Sequence, residues 1–308
     1  MKNLWQIAQK INMEAGRIQI SEPMAAHTTF RIGGPADIFI RINSPAELGS
    51  ALARLADEGI PRFILGKGAN ILVGDEGIRG AVLDLSGLSW ARSAGASLKA
   101  GAGLSVNKLC EDALALELCG LENFYGMPGS LGGAIYMNAR CYEKDFSETI
   151  VEIDAISPDG EEKILHPRPD QWAYKKSPFQ PGGTWAGWII VGATFALGEG
   201  KAERDAGIMR SRKLDRIGKG HYRLPSAGSV FKNNRAFGRP TGAILDSLGM
   251  KGARIGDAAV STWHANIFVN EGKATARDMR ALIEKAQAMA LSAYGFELEP
   301  EVLFIGEF

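Results

Sequence analysis

The sequence predicts an α+β protein of two or three packed lobes. Helix-period and strand-period segments alternate without a fixed repeat, glycine-rich loops follow short apolar runs, and no linker is long enough to separate independent beads. A chain of 308 residues, 45% of them hydrophobic, can bury one large core or two to three smaller ones. Residues 1–26 read as a short helical lead, with Ile7, Ile11 and Met13 apolar and Gly16 as a stop. The segment from His27 to Asp37 leads into a strand at Ile38–Ile42. Ser44-Pro45-Ala46-Glu47 then opens a helix, because serine caps, proline suits the first turn and a glutamate three residues on completes a capping box. Leu48, Leu52 and Leu55 form its buried stripe, and Gly59 ends it. A strand at Arg62–Leu65, a glycine loop and a strand at Ala81–Leu85 make this half read as β-α-β.

A second block opens near Trp90. Ser105 caps a helix carrying Val106, Leu109, Cys110, Ala113 and Leu114, closed by Gly120. Strands fit Ile150–Ser157, Glu162–Leu165 and Trp188–Leu197, with Pro158-Asp159-Gly160 as the hairpin turn between the first two. The charged stretch Gly198–Arg216 crosses into a third block, and its Lys201–Arg216 run reads as a solvated helix. Strand-like segments follow at Ser229–Lys232, Ala265–Asn270 and Glu301–Ile305. The clearest helix runs from Thr275 to Tyr294, with Met279, Leu282, Ile283, Ala286, Met289, Ala290 and Ala293 on one face as core.

Lys plus Arg and Asp plus Glu each number 35, a balance that argues against coating nucleic acid or an anionic membrane. No apolar run approaches the roughly 20 residues of a membrane-spanning helix, and residues 1–6 lack a signal-peptide apolar region. The expectation is a soluble, cytoplasmic protein with no membrane insertion, no nucleic-acid partner and no protein partner deducible from pattern. Cys110, Cys119 and Cys141 give no disulfide framework, and His27, His166, His221 and His264 are nowhere paired at metal-ligand spacing, so no metal is expected. No P-loop or G-x-S-x-G elbow occurs, and Gly66-Lys67-Gly68 lacks the third glycine of a dinucleotide fingerprint.

Glycine is in excess, 38 of 308 residues against an average near 7%. The excess includes two loops that follow strands, Gly66-Lys67-Gly68-Ala69-Asn70-Ile71 and Pro128-Gly129-Ser130-Leu131-Gly132-Gly133. Without Cβ atoms, backbone N–H groups can converge on phosphate oxygens, and two such loops suit a diphosphate-bridged ligand such as a dinucleotide. Each loop taken alone is equally a tight turn.

The ordered segments TTFRIGGPAD, LGKGANILVGDEGIRGAVLDL, GLENFYGMPGSLGGAIYMNA, LPSAGSVFKNN and HANIFVNEG…ELEPEV resemble the UDP-N-acetylenolpyruvoylglucosamine reductase family, in its shorter type, from about residue 27 to the C-terminus. The resemblance implies an FAD-binding unit of the p-cresol methylhydroxylase type over 27–198, in subdomains of about 27–88 and 89–198. It implies a substrate lobe over 199–308. It also implies bound FAD, NADPH as co-substrate, and hydride passed from FAD N5 to the enolpyruvyl ether of a UDP-sugar, giving UDP-N-acetylmuramate for peptidoglycan synthesis. The cofactor residues would be Gly66, Lys67, Gly68, Ala69, Asn70 and Ile71 with Pro128, Gly129, Ser130, Gly132 and Gly133. Ser229 matches the family's proton donor, although serine alone is a poor acid and outside the motif would read as a turn or strand residue. Glu301 matches the catalytic glutamate; Glu299 competes on proximity alone. Lys232 and Asn233 are implied near the substrate's anionic groups, where a cation and an amide are sensible contacts. His264 and Asn266 read first as structural.

Three departures from the family pattern stand out. Where the family has an arginine in Y-R-x-S, this chain reads Tyr174-Lys175-Lys176-Ser177, so Lys175 keeps the charge without the bidentate fork. Arg140 follows Met137-Asn138-Ala139 where the family has glycine, which implies a reshaped loop if a positive φ is needed there. Gly220-His221 replaces a glutamine-proline pair. Two other readings are another FAD oxidoreductase on the same fold, and a flavin- or UDP-sugar-binding protein with impaired turnover.

Overall fold

The computed structural model describes residues 17–94 and 97–308. The chain divides into two compact units, the first formed by 1–20, 38–67 and 80–214, the second by 21–37, 68–79 and 215–308. The expected helical lead lies largely outside the described residues. Its last part is corrected: Ile18–Pro23 is a strand whose residues alternate between partly buried and exposed, followed by a single 3-10 turn at Met24–His27. Ile18 and Ile20 alternate with polar Gln19 and Ser21, a period of two that suits a half-buried strand.

In the first unit, the helix Pro45–Asp57 starts where Ser44 Oγ accepts the Glu47 N–H, and it buries Leu48, Leu52 and Leu55. Strands Arg62–Leu65 and Ile78–Asp84 pair in parallel, with Arg62 opposite Ala81 and Leu65 opposite Asp84. Their sheet has the strand order 18–23, 35–41, 78–84, 62–65. A five-stranded antiparallel sheet runs in the order 162–165, 150–156, 189–196, 97–101, 91–94. Against it lie the helices Val106–Ala115 and Leu131–Tyr136, capped by Ser105 and Ser130. The core here contains Phe124, Phe146 and Phe195, packed edge-on with centroids 4.8 and 5.7 Å apart. Such pairs add about 0.5–1.5 kcal/mol each beyond area burial. The charged run forms the helix Ala202–Gly218, as expected, burying Asp205 and Met209.

The second unit is assembled from three separated stretches. A three-stranded antiparallel meander (254–255, 258–260, 268–270) packs against the helix Ala276–Tyr294. This helix buries Met279, Leu282, Ile283, Ala286 and Ala290, whereas Ala293 is exposed, so the apolar stripe stops a turn early. Its first turn is closed by side chains. Asp75 accepts the N–H groups of Ala276 (2.7 Å) and Arg277 (3.0 Å), while Thr275 and Asp278 cap each other reciprocally. Strand Ile71–Val73 pairs in parallel with Leu303–Ile305. Among the described residues no helix is long and apolar enough to cross a membrane.

Candidate functional site

The first unit carries the Pro128–Gly133 loop, and backbone bonds fix it to the segment after strand Ser97–Gly101. Leu131 and Gly132 donate to the carbonyls of Leu104 and Ala102, and Val106 donates to Gly129. Ser130, buried, caps the short helix by accepting the Gly133 N–H at 3.4 Å. A Cβ on Gly66 would lie 2.3 Å from Ser130 Oγ, so the two glycine loops touch here and only glycine fits. At Gly129 (φ +138) a Cβ would point into open space, and Pro128 and Gly133 are exposed. The loop thus presents backbone, not side chains, on that side.

The remaining half of the Gly66–Ile71 loop belongs to the second unit, where the TTFR segment holds it. Thr29 donates its N–H (3.1 Å) and its hydroxyl (3.3 Å) to the Gly68 carbonyl. Thr28 Oγ1 both accepts from and donates to Ile32, closing the turn. Gly68 has φ +57, and a Cβ there would meet the His27 carbonyl oxygen at 2.1 Å. Asn70 reaches the other way. Its side-chain amide donates to the Glu301 carbonyl at 2.9 Å, and its own carbonyl accepts from Leu303. Ala69 and Ile71 flank it, Ile71 opposite Leu303 in the parallel pair.

Ser229, Lys232, Asn233 and Glu301 also lie together in the second unit. The segment Ser229–Lys232 is a single extended line held from both sides by isolated contacts, not a sheet strand. Ser229 bridges Ile267, and Phe231 bridges Pro300. Every main-chain polar group from Val230 to Lys232 is satisfied. Val230 donates to Asn266 O (2.8 Å) and accepts from Glu301 N (2.7 Å). Phe231 donates to Asn266 Oδ1 (3.0 Å) and accepts from Asn266 Nδ2 (2.8 Å). Lys232 donates to Glu299 O and accepts from Thr241 Oγ1. The Ser229 and Glu301 backbones are therefore one residue from a shared hydrogen bond. Glu301 is partly buried and Glu299 69% exposed, and Glu299 pairs with the Lys232 ammonium, itself 17% exposed. Asn233 directs its Oδ1 to the Thr241 N–H at the start of helix Thr241–Ser247, which fixes its orientation.

Tyr174 and Lys175 lie in the first unit, on a tight turn closed by reciprocal Ala173–Lys176 hydrogen bonds. Lys175 has φ +57, a conformation costly for a residue with a side chain. Gln180 braces the turn by donating to the carbonyls of Lys175 (3.2 Å) and Tyr136 (2.8 Å), and Ser177 also donates to Tyr136. The expectation of a strained Arg140 is corrected. Arg140 is in extended pairing with Asp145 and forms an ion pair with it at 2.8 Å; the positive φ values fall on Asn138, Tyr142 and Glu143 instead.

His221 and His264 stand with ring centroids 6.4 Å apart. Burial, with the Arg216 charge and His264 close by, pushes His221 down to about 4, and burial likewise lowers His264. Both imidazoles are neutral at pH 7. His264 Nδ1 accepts the Asn266 N–H. The contributions of Thr29, Gln180 and Asn266 are not legible in motif spacing, since each works through a hydrogen bond to a backbone distant in sequence.

An FAD binding domain profile matches residues 36–165, and a profile of the UDP-N-acetylenolpyruvoylglucosamine reductase C-terminal domain matches 220–305. The two together define a class: an FAD-dependent oxidoreductase with a second domain particular to one reductase. The chain is 39% identical to the UDP-N-acetylenolpyruvoylglucosamine reductase of Treponema denticola, over 100% of this chain and 99% of that one. It is 37% identical to that of Caldanaerobacter subterraneus subsp. tengcongensis, over 96% of each. The crystal structure of UDP-N-acetylenolpyruvylglucosamine reductase from Thermus caldophilus superposes with a TM-score of 0.77 at 29% identity, covering 94% of this chain and 98% of that one. The chain belongs to the UDP-N-acetylenolpyruvoylglucosamine reductase family.

Proposed function

We propose that this chain reduces the enolpyruvyl ether of UDP-GlcNAc-enolpyruvate to UDP-N-acetylmuramate, using NADPH as hydride source, in the cytoplasm. The observation that carries the reading is the Asn70–Glu301 hydrogen bond, which ties the proposed cofactor loop to the proposed catalytic glutamate. The residues present fit FAD: in the glycine loop 128–133 Gly133 is exposed and Gly129 half-buried, with open space where the Gly129 Cβ would be. In the first unit the main-chain N–H groups of Gly129 and Ser130 would hold its diphosphate beside Gly66, since Pro128 has none and those of Leu131, Gly132 and Gly133 are already donated to Leu104, Ala102 and Ser130. When bound, FAD supplies two-electron hydride chemistry that no side chain possesses.

Hydride addition to one alkene carbon leaves carbanionic charge on the other, so the chain must supply a proton and hold the developing charge. Ser229 Oγ is assigned the donation. Its hydroxyl makes no hydrogen bond to another described residue, and its backbone is fixed, so the proton can face the substrate. Glu301, one backbone bond away, is assigned to the intermediate, and Lys232, Asn233, Tyr174 and Lys175 to binding the substrate's anionic and polar groups.

The test follows the visible spectrum of the purified protein under anaerobic conditions. NADPH should bleach the flavin bands, and UDP-GlcNAc-enolpyruvate should restore them. With Ser229→Ala, bleaching persists and restoration slows by about a hundredfold or more. A protein that takes up no flavin, or bleaches yet ignores the substrate, overturns the reading.

A further inference from the structure

The backbone between the proposed proton donor and the proposed substrate lysine is held to an unusual degree by one residue. Of the seven main-chain hydrogen bonds made by Val230, Phe231 and Lys232, Asn266 supplies three: its carbonyl to Val230, and both ends of its side-chain amide to Phe231. The amide spans the Phe231 residue as a neighbouring strand would, accepting from its N–H and donating to its carbonyl. Asn266 is only 1% exposed, so water cannot substitute for either bond. Its own main-chain N–H is taken by His264 Nδ1 at 3.2 Å, and the next residue, Ile267, bridges Ser229. On its other side Phe231 bridges Pro300, where the bonds run from its neighbours, Lys232 N–H to Glu299 O and Glu301 N–H to Val230 O, so the N–H and C=O of Phe231 itself point toward Asn266. Asn266 therefore supplies both ladder bonds at the residue lying between Ser229 and Lys232.

We propose that Asn266 is a positioning residue for proton delivery: its amide sets the height and direction of the Ser229–Lys232 line, and hence where the Ser229 hydroxyl meets the substrate. The inference rests on the proposed role of Ser229. The asparagine amide carries an acceptor and a donor on one flat group, and glutamine is longer by a methylene.

The test separates the two half-reactions by stopped flow. With Asn266→Ala, flavin bleaching by NADPH should keep its wild-type rate, while substrate-dependent reoxidation slows by about tenfold to a hundredfold, as expected for a displaced catalytic group. Its solvent isotope effect should rise and KM for the sugar nucleotide should change little. Asn266→Asp supplies a second readout. Ionised, it repels the Phe231 carbonyl; protonated, it restores acceptor and donor, and burial raises its pKa. The titratable side chains along the packed segments are His264, Lys232, Glu299 and Glu301. Reoxidation by Asn266→Asp should therefore recover as the pH falls from about 8 to 6, a gain absent from the wild type and from Asn266→Ala. Asp75→Ala, which weakens a distant helix cap, is the comparison for a general loss of stability. Equal loss in both half-reactions, loss of folding in both variants, or wild-type reoxidation in Asn266→Ala overturns the proposal. A wild-type protein that never reoxidises overturns the functional reading instead.

Discussion

Replacing Asp75 with alanine removes the anion at the start of helix Ala276–Tyr294, and the structure allows the loss to be apportioned. The two N–H groups it holds differ in access to water: Ala276 is fully buried, whereas Arg277 is exposed. The Ala276 donor would be left unsatisfied, a loss of about 1–3 kcal/mol, while the Arg277 donor can turn to water at about 0.5 kcal/mol. The carboxylate's interaction with the helix dipole adds about 0.3–1 kcal/mol. The expected total is about 2–4 kcal/mol. Asp75→Asn keeps an acceptor for Ala276 and should lose only about 1 kcal/mol. Urea unfolding followed by circular dichroism measures both, as a lower midpoint with unchanged slope. Hydrogen exchange should show faster opening of residues 276–290. An alanine variant within about 0.5 kcal/mol of the parent, or an asparagine variant equally damaged, refutes the apportionment.

Three further outcomes are expected. Gly68→Ala must separate its Cβ from the His27 carbonyl by more than an ångström, since 2.1 Å is far inside contact distance, and should lower FAD affinity at least tenfold in a fluorescence titration. His221 has a folded-state pKa of about 4 against 6.5 when unfolded, so the unfolded chain binds more protons between those values and stability falls as the pH drops from 6.5 toward 4. His221→Asn should flatten that part of the stability–pH curve; an unchanged slope contradicts a buried neutral imidazole. Lys175→Gly relieves the positive φ and should raise the unfolding free energy by about 0.5–1 kcal/mol while removing the cation, so KM for the sugar nucleotide rises; no change in KM removes Lys175 from substrate binding.

Much of the local architecture was legible because its causes are local. Ser44, Ser105 and Thr275 begin helices where their hydroxyls satisfy N–H groups two or three residues on. The hairpin at 158–160 turns as its Pro-Asp-Gly composition requires. The strand Ile71–Val73 escaped notice because three residues carry no period and its partner lies at 303–305. The same distance hid Asp75 as a cap and Asn266 as a brace. At Arg140 the expected strain is absent because Arg140 and Cys141 pair in extended backbone with Asp145 and Lys144, and the positive φ values fall on either side, at Asn138 and at Tyr142 and Glu143. Motif resemblance pointed to Ser229 and Glu301; the hydrogen bonds that hold their backbones have no sequence signature.

The composition of the second unit also bears on the order in which the chain can mature. Asn70 is separated by 231 residues from the carbonyl it binds, and Ile71–Val73 waits equally long for Leu303–Ile305. During synthesis at roughly 5–20 residues per second, the early strand emerges many seconds before its partner exists. Until then it is an unpaired edge of buried aliphatic residues, a template for association with other chains. Loop closure over such a span makes this step late and slow relative to the locally wired antiparallel sheet of the first unit. Emergence of Leu303–Ile305 from the ribosome thus sets the earliest moment at which Glu301 can take its place.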